Sequence, residues 1–283
     1  MKKKLVLAMA AAMAITSCAV PVFADEAAEG GKIGISMPTQ SLERWNRDGS
    51  YLEEQFKAAG YDVELTYSDN ETDRQVNDIQ NLISDGVNLL VVAAIDGEAL
   101  NTVMDEAADA GIPVILLDRK IDGDKYTQFI GADNVDMGRI AGEYVADTLL
   151  PDGGKVCEIK GLEGTSGGID RDNGFREGIK KNDKIEIVAV NNADWLREKA
   201  ITVAEEMLQT NDEIDLFLAL NDPMAEGAYI AAKNAGREGD ILFVGFDGLP
   251  TPDGGIRSVM DGRLSMTQVY PTGGTEAIES AYQ

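Results

Sequence analysis

The sequence predicts an α/β protein of two similar lobes, each built on a parallel sheet. Three observations predict it. Short runs of near-continuous apolarity, as in Leu89-Leu90-Val91-Val92, have the length of strands buried on both faces. These runs alternate with helical stretches, the grammar of parallel βαβ units. The alternation runs twice, in two series of similar size, which implies two similar lobes.

The first series opens with a strand at 33–37, followed by a helix at 45–59 that stops at Gly60, a C-cap glycine. A strand at 63–67 precedes a helix at 73–84 that ends near Gly86. The apolar run 89–95 leads to a helix at 98–110, stopped by Gly111 and Pro113, and then to a strand at 114–117. A short strand at 127–131 reaches Asp133-Asn134, where Asn134 is expected to cap a helix running to about residue 150. Pro151-Asp152-Gly153-Gly154 is a turn.

The second series repeats the pattern. It has a strand at 155–159, a glycine-rich loop at 161–168, a helix to residue 181 and a strand at 185–190. A helix at 194–210, a strand at 216–220, a helix at 223–235 and a strand at 241–246 follow. A strand at 264–270 ends the series. Residues 271–283 begin a further helix with no strand after it, which reads as a chain truncated before its natural close. The expected first lobe is 32–134 with 271–283, and the expected second lobe is 135–270.

Export precedes both lobes. Lys2-Lys3-Lys4 is a charged start, and residues 5–15 are an apolar stretch too short to span a bilayer stably. Cleavage after Val22-Phe23-Ala24 gives a signal peptide of residues 1–24. Alternatively, Ile15-Thr16-Ser17-Cys18 resembles a lipobox and leaves Cys18 lipidated. Residues 25–31 read as a disordered leader. The expected location is the periplasm or the outer face of the cytoplasmic membrane.

Composition excludes several chemistries. The 283 residues carry 50 acids against 25 basic residues, a net charge of -25, which repels phosphate backbones and argues against nucleic-acid binding. There is no histidine, which removes imidazole metal sites and Ser-His or Cys-His nucleophile systems. The two cysteines are too few for a disulfide framework or a cysteine-rich zinc site, and Cys157 reads as a small buried hydrophobe. The loop 161–168 lacks the Gly-Lys-Ser/Thr of a phosphate loop. No cofactor is expected.

What remains is a pattern at the strand ends. The apolar runs break off at Asp96, at Asp118-Arg119, at Asn221-Asp222 and at Asp247, all at carboxyl ends, where open α/β sheets bind ligands. Acids, amides and arginine accept and donate in the fixed geometry that sugar hydroxyls require, and flat aromatic rings match a sugar's apolar faces. Both tryptophans, Trp45 and Trp195, follow strands, and Arg44, beside Trp45, and Arg171, after the glycine-rich loop, join the candidates. Each of these residues has a plain structural alternative: Asn221 as a helix cap, Asp118-Arg119 as a surface pair, the tryptophans as packing. The signal lies in their common location.

At these residues the chain resembles the periplasmic sugar-binding proteins of bacterial ABC importers, the ribose, xylose and galactose group. The matching stretches are Leu42-Glu43-Arg44-Trp45, Ala94-Ile95-Asp96-Gly97, Asp118-Arg119, Gly164-Thr165-Ser166 to Arg171-Asp172-Asn173-Gly174-Phe175, Asn221-Asp222 and Val244-Gly245-Phe246-Asp247-Gly248. The resemblance implies a type I periplasmic binding protein, two Rossmann-like lobes with parallel sheets joined by a multi-strand hinge of three chain crossings, which closes on one sugar and delivers it to an ABC permease. It implies hydroxyl contacts from Asp118, Arg119, Arg171, Asn221 and Asp247, with Trp45 and Trp195 sandwiching the ring. Arg44, Asp96 and Tyr270 complete the expected ligand-binding set. The Leu-Glu-Arg-Trp stretch, with Ala93 where ribose binders carry Asn, favours a pyranose aldose such as xylose, glucose, galactose or arabinose over ribose. The expected protein is a monomer and not an enzyme, and a chemoreceptor is a further candidate partner. Two rivals are a glycosidase using Asp118 and Asp247 as a carboxylate pair and a sensor that presents sugar to a kinase or chemoreceptor.

Overall fold

The computed structural model describes residues 30–282. The export signal, Cys18 and most of the expected leader lie outside the described residues. The first lobe is built from β1 (Lys32–Met37), α1 (Glu43–Ala58), β2 (Asp62–Tyr67), α2 (Thr72–Ser84), β3 (Leu89–Val92), α3 (Asn101–Asp109), β4 (Val114–Leu117) and β5 (Gln128–Ile130). The second is built from α4 (Asn134–Tyr144), β6 (Gly154–Lys160), α5 (Ser166–Gly178), β7 (Ile185–Asn192), α6 (Arg197–Thr210), β8 (Leu216–Ala219), α7 (Asp222–Asn234), β9 (Leu242–Asp247), α8 (Gly255–Met260) and β10 (Met266–Val269). The last helix, α9 (Gly274–Ala281), follows the second sheet in sequence but packs on the first.

All strand pairs are parallel. The first sheet has the order β2-β1-β3-β4-β5 and the second β10-β9-β8-β6-β7. Counted within each lobe, both orders are 2-1-3-4-5. The order therefore reverses between the first and third strands of each lobe, the place where α/β sheets open a ligand crevice.

Alternation along the strands explains why both faces need helices. In the first sheet Ile33, Ile35, Val91, Ile115 and Leu117 face α1 and α9, packing with Leu52, Phe56 and Ala277. Leu90, Val92, Val114 and Leu116 face the other way, onto Ile79 and Leu82 of α2 and Val103, Met104 and Ala107 of α3. Leu52 and Phe56 have no exposed surface, and each such side chain contributes about 1.5–3 kcal/mol by leaving water. The second lobe holds one continuous core around Val156, Ile159, Phe217, Leu218, Phe243 and Phe246. Cys157 lies in it as a free thiol, and burial pushes that thiol up to about 11.

The helix–glycine–strand grammar is met where expected: Gly60, Gly86, Gly111 and Gly236 follow helices with φ of +93°, +74°, +72° and +68°. One expected cap is corrected. The side chain of Asp133, not Asn134, caps α4 by accepting the Asp136 N–H at 3.0 Å. Asn134 sits one residue inside the helix, with its side chain free for another partner. The helix also ends earlier than expected, passing into a π-helical turn, Val145–Leu149.

The α4–α5 contact is unusually close. A Cβ added to Gly138 would lie 2.2 Å from the Arg171 carbonyl oxygen, and one added to Gly174 would lie 2.0 Å from the Val135 carbonyl oxygen. Glycines on both helices thus let the backbones touch. That fixes α5, and Arg171 upon it, against the segment where the chain passes from one sheet to the other.

Candidate functional site

The carboxyl ends of the two sheets face each other across a cleft of about 1060 Å³, its open mouth included. Arg44, Trp45, Asp118, Arg119, Arg171, Trp195, Asn221 and Asp247 all line it. Each is nine-tenths or more buried.

Three guanidinium groups meet there. Arg44, from the first turn of α1, forms an ion pair with Asp118 at 2.9 Å and reaches across the lobes to Asp247 at 3.9 Å. Arg171, from α5, lies 3.7 Å from Asp247 on the opposite side. Arg171 is held by two further bonds, donating from Nε to Asn134 Oδ1 at 2.8 Å and from Nη1 to the Leu220 carbonyl at 2.7 Å. Arg119 donates to the Ala94 carbonyl at 3.3 Å, and its guanidinium lies 4.9 Å from the Trp45 ring and 5.6 Å from the Trp195 ring. The two tryptophans, one from each lobe, therefore flank the same arginine.

These charges perturb one another. Burial and the charges of Arg44 and Arg171 lower Arg119 to about 10, with Asp118 partly opposing; it remains a cation at neutral pH. Burial works against the charge on Arg44, but Asp118, Asp247 and Asp48 outweigh it and hold Arg44 above its usual value. Burial raises Asp247, with Arg171 and Arg44 partly opposing.

Backbone strain marks the same places. Asp118, Trp195 and Asp247 have φ of +66°, +70° and +109°. A non-glycine residue in such a region costs of order 1–3 kcal/mol and persists where surrounding structure enforces it. Asn221 caps α7 by accepting the Met224 N–H at 2.9 Å, and its amide donates to the Trp195 carbonyl at 3.0 Å. One side chain thus starts a helix and holds the strained tryptophan turn. Nε of Arg44 and Nε1 of Trp195 are buried without a hydrogen-bond partner in the protein. Buried polar groups of this kind are costly unless something in the cleft satisfies them.

Two expected site residues stand elsewhere. Asp96 does not line the cleft. Its Oδ1 accepts the N–H groups of Glu98 and Ala99 at 3.0 and 2.9 Å, and its carboxylate packs against Gly164 of the other lobe. Four residues beyond β3, it has run past the crevice. Tyr270 lies beneath the site, its ring 4.2 Å from the Arg44 guanidinium and 5.1 Å from that of Arg171. Its hydroxyl accepts the Ala132 N–H at 3.0 Å and donates to the Asp118 carbonyl at 3.4 Å.

Sequence reasoning missed Asn134, which orients Arg171, and Asp222, which lines the cleft beside Asp247. It also missed the rim residues Glu43, Glu198 and Asp253. The lobes meet around the rim. The Thr251 hydroxyl donates to Glu43 at 3.2 Å, the Lys120 N–H to the Ser166 hydroxyl at 2.8 Å, and the Gly97 N–H to the Gly164 carbonyl at 3.3 Å. Among the described residues, no group of three or more His, Cys, Asp or Glu side chains is placed to hold a metal ion.

Residues 33–283 match the family described as periplasmic binding protein domain. The chain belongs to this family. It is 32% identical over 259 residues to the ribose import binding protein RbsB of Bacillus subtilis (strain 168), covering 89% of this chain and 82% of that one. The fructose-binding periplasmic domain of the hybrid two component system BT1754 superposes with a TM-score of 0.85 at 35% identity, covering 89% of this chain and 84% of that domain. A Mycobacterium smegmatis protein in complex with beta-D-fucofuranose superposes with a TM-score of 0.84 at 30% identity, covering 89% of this chain and 85% of that one.

Proposed function

We propose that this member of the family is an exported receptor that captures a neutral monosaccharide between its lobes and delivers it to an ABC permease. The observation that carries this reading is the pairing of Trp45 and Trp195, one per lobe, around a cleft of buried arginine, aspartate and asparagine side chains. A sugar ring has two apolar faces for the tryptophans and an equator of hydroxyls for Arg44, Asp118, Arg119, Arg171, Asn221 and Asp247. Two flat rings suit a pyranose aldose, such as xylose, glucose, galactose or arabinose, with ribose the smaller alternative.

The mechanism is capture by closure. A ligand that bonds both lobes favours the closed arrangement by as much as it prefers that state over the open one. Arg44 already spans the cleft to Asp247, so a sugar inserted there completes a bridge that the protein half makes. Delivery to a membrane permease is supported by the import role of the Bacillus subtilis relative and by the export signal expected at residues 1–24, or ending before a lipidated Cys18. The protein acts as a monomer that releases its sugar unchanged. The likeness to a domain of a two component system favours a second reading, in which the closed form signals to a sensor or chemoreceptor.

The test is a thermal-shift and calorimetric screen of D-xylose, D-glucose, D-galactose, L-arabinose, D-ribose, D-fructose and their phosphates. At one hundred times its Kd a ligand adds about 2.7 kcal/mol to stability. A neutral sugar should raise the Tm, and Trp45→Ala should weaken that sugar by roughly 1–3 kcal/mol, the range for stacking on an aromatic ring. If no sugar moves the Tm, or if a sugar is chemically altered on incubation, the receptor reading fails.

A further inference from the structure

Asp222 stands at the start of α7, next to the cap residue Asn221, where an acid needs no further explanation. Its surroundings are nonetheless built for it. Its Oδ2 accepts the Gly248 N–H at 2.7 Å, and its Oδ1 accepts the Thr267 hydroxyl at 2.6 Å. It is 3% exposed. Two glycines make room for it. A Cβ on Gly245 would lie 2.3 Å from Oδ1, and one on Gly255 would lie 1.9 Å from Oδ2. From the start of α7 the carboxyl group thus bonds the turn after β9 and strand β10, and packs against the start of α8.

The bond to Gly248 is the one that matters for the cleft. It holds the N–H of the peptide that leaves Asp247, the residue with φ of +109°, and the next residue, Gly248, has φ of +59°. A turn with two positive φ values in a row persists only where its surroundings enforce it, and any relaxation of its backbone would carry the Asp247 side chain with it. In the observed turn the Asp247 carboxylate lies 3.7 Å from Arg171 and 3.9 Å from Arg44, between the two lobes.

We infer that Asp222 is a positioning residue: by fixing the Asp247–Gly248 peptide it aims the Asp247 carboxylate into the cleft. The inference deepens the sugar-receptor reading and rests on it for the affinity measurements alone. Burial and the charge of Asp247 push Asp222 well above the usual carboxylate range, which favours its protonated form. Asparagine has the same shape: its Oδ1 can accept the Gly248 N–H, and its amide can donate to the Thr267 hydroxyl, reversing the bond that Asp222 accepts.

The experiment compares Asp222→Asn and Asp222→Ala, each alone and combined with Asp247→Asn, using the six neutral sugars above as probes in calorimetry. Hydrogen exchange of the Gly248 amide is followed in parallel without sugar. Asp222→Asn is expected to keep wild-type affinity and a protected Gly248 amide. Asp222→Ala is expected to lose about tenfold in affinity or more, the consequence of an unpaired buried donor, and to expose the amide. In the Asp247→Asn background the alanine variant should cost nothing further, because only the aim of Asp247 is lost. The same loss in both backgrounds would assign Asp222 a general structural role and overturn the inference, as would wild-type binding by Asp222→Ala. If Asp222→Ala does not fold, Asp222→Asn decides, since fast exchange at Gly248 in that variant sinks the idea. A wild-type protein that binds none of the sugars refutes the receptor reading instead. The amide measurements then decide the position of the turn on their own.

Discussion

Asp48 lies one helical turn beyond Arg44, 3.6 Å from its Nε, with Oδ2 buried and without a hydrogen-bond partner. Burial pushes its carboxyl up to about 7, with Arg44 partly opposing and Asp118 adding to the rise. The folded state therefore holds a proton here that the unfolded chain releases near pH 4. Between about pH 4 and pH 7 the native state binds more protons, so stability falls as pH rises through that window. The Tm should climb as pH is lowered from 8 to 5, and Asp48→Asn should remove part of that slope. Equal slopes in the two proteins across this range would show that Asp48 does not titrate in the fold. At this scale the sequence is legible where a residue's role follows from its place along a strand: Asp118, Asn221 and Asp247 fall at strand ends and reach the cleft. It is illegible where the role lies in a distant contact. Asn134 acts on a partner 37 residues away and Asp222 on one 26 residues away. Nothing in the local pattern separates either from an ordinary helix start.

Elements set the second tryptophan. Trp195 follows β7 in a turn with positive φ at both Asp194 and Trp195, and its ring lies against Gly161 at the end of β6. A Cβ at Gly161 would come 2.0 Å from the ring. Gly161→Ala should therefore push the indole into the cleft while leaving both sheets intact. The expected result is sugar affinity lowered by about tenfold together with a lower Tm, since overpacking costs of order 1–3 kcal/mol and Trp195 is buried in the second lobe's core. Unchanged affinity in that variant would mean that the ring has room to spare. The apolar runs and the glycine stops made the strands and most helices readable, because burial on both faces leaves no polar alternation to confuse them. The short helix α8 was not readable. Its Ile256, Val259 and Met260 fall at helical spacing, but over only six residues and with all three exposed, too short a stretch to read as a packed helix. The π-helical turn after α4 was missed for a related reason, since periodicity cannot distinguish a loosened last turn from a regular one.

Across the whole molecule, polar contacts at the rim join the two lobes. The Thr251–Glu43 hydrogen bond spans the two lobes at the mouth and is exposed to solvent. Thr251→Val should leave association unchanged and speed sugar release by roughly two- to fivefold, as befits one modest hydrogen bond present only in the closed state. Stopped-flow release rates check this; an unaltered off-rate would place the latch elsewhere. The shared 2-1-3-4-5 strand order carries a further consequence. Arg44 and Arg171 stand on the helix after the first strand of their lobes, Asp96 and Asn221 follow the third strands, and Asp118 and Asp247 end the fourth. The cleft is therefore a pseudo-dimer interface, each half presenting its version of one constellation to the other. A true two-fold pair of identical lobes would offer a ligand the same groups from both sides and could not tell its two ends apart. Held in one chain, the halves are free to diverge. Asn221 lines the cleft while its counterpart Asp96 holds the turn at Glu98 and Ala99 and packs against Gly164, and through that broken symmetry the site gains a polarity, a head and a tail to which a single orientation of an unsymmetrical guest can be matched.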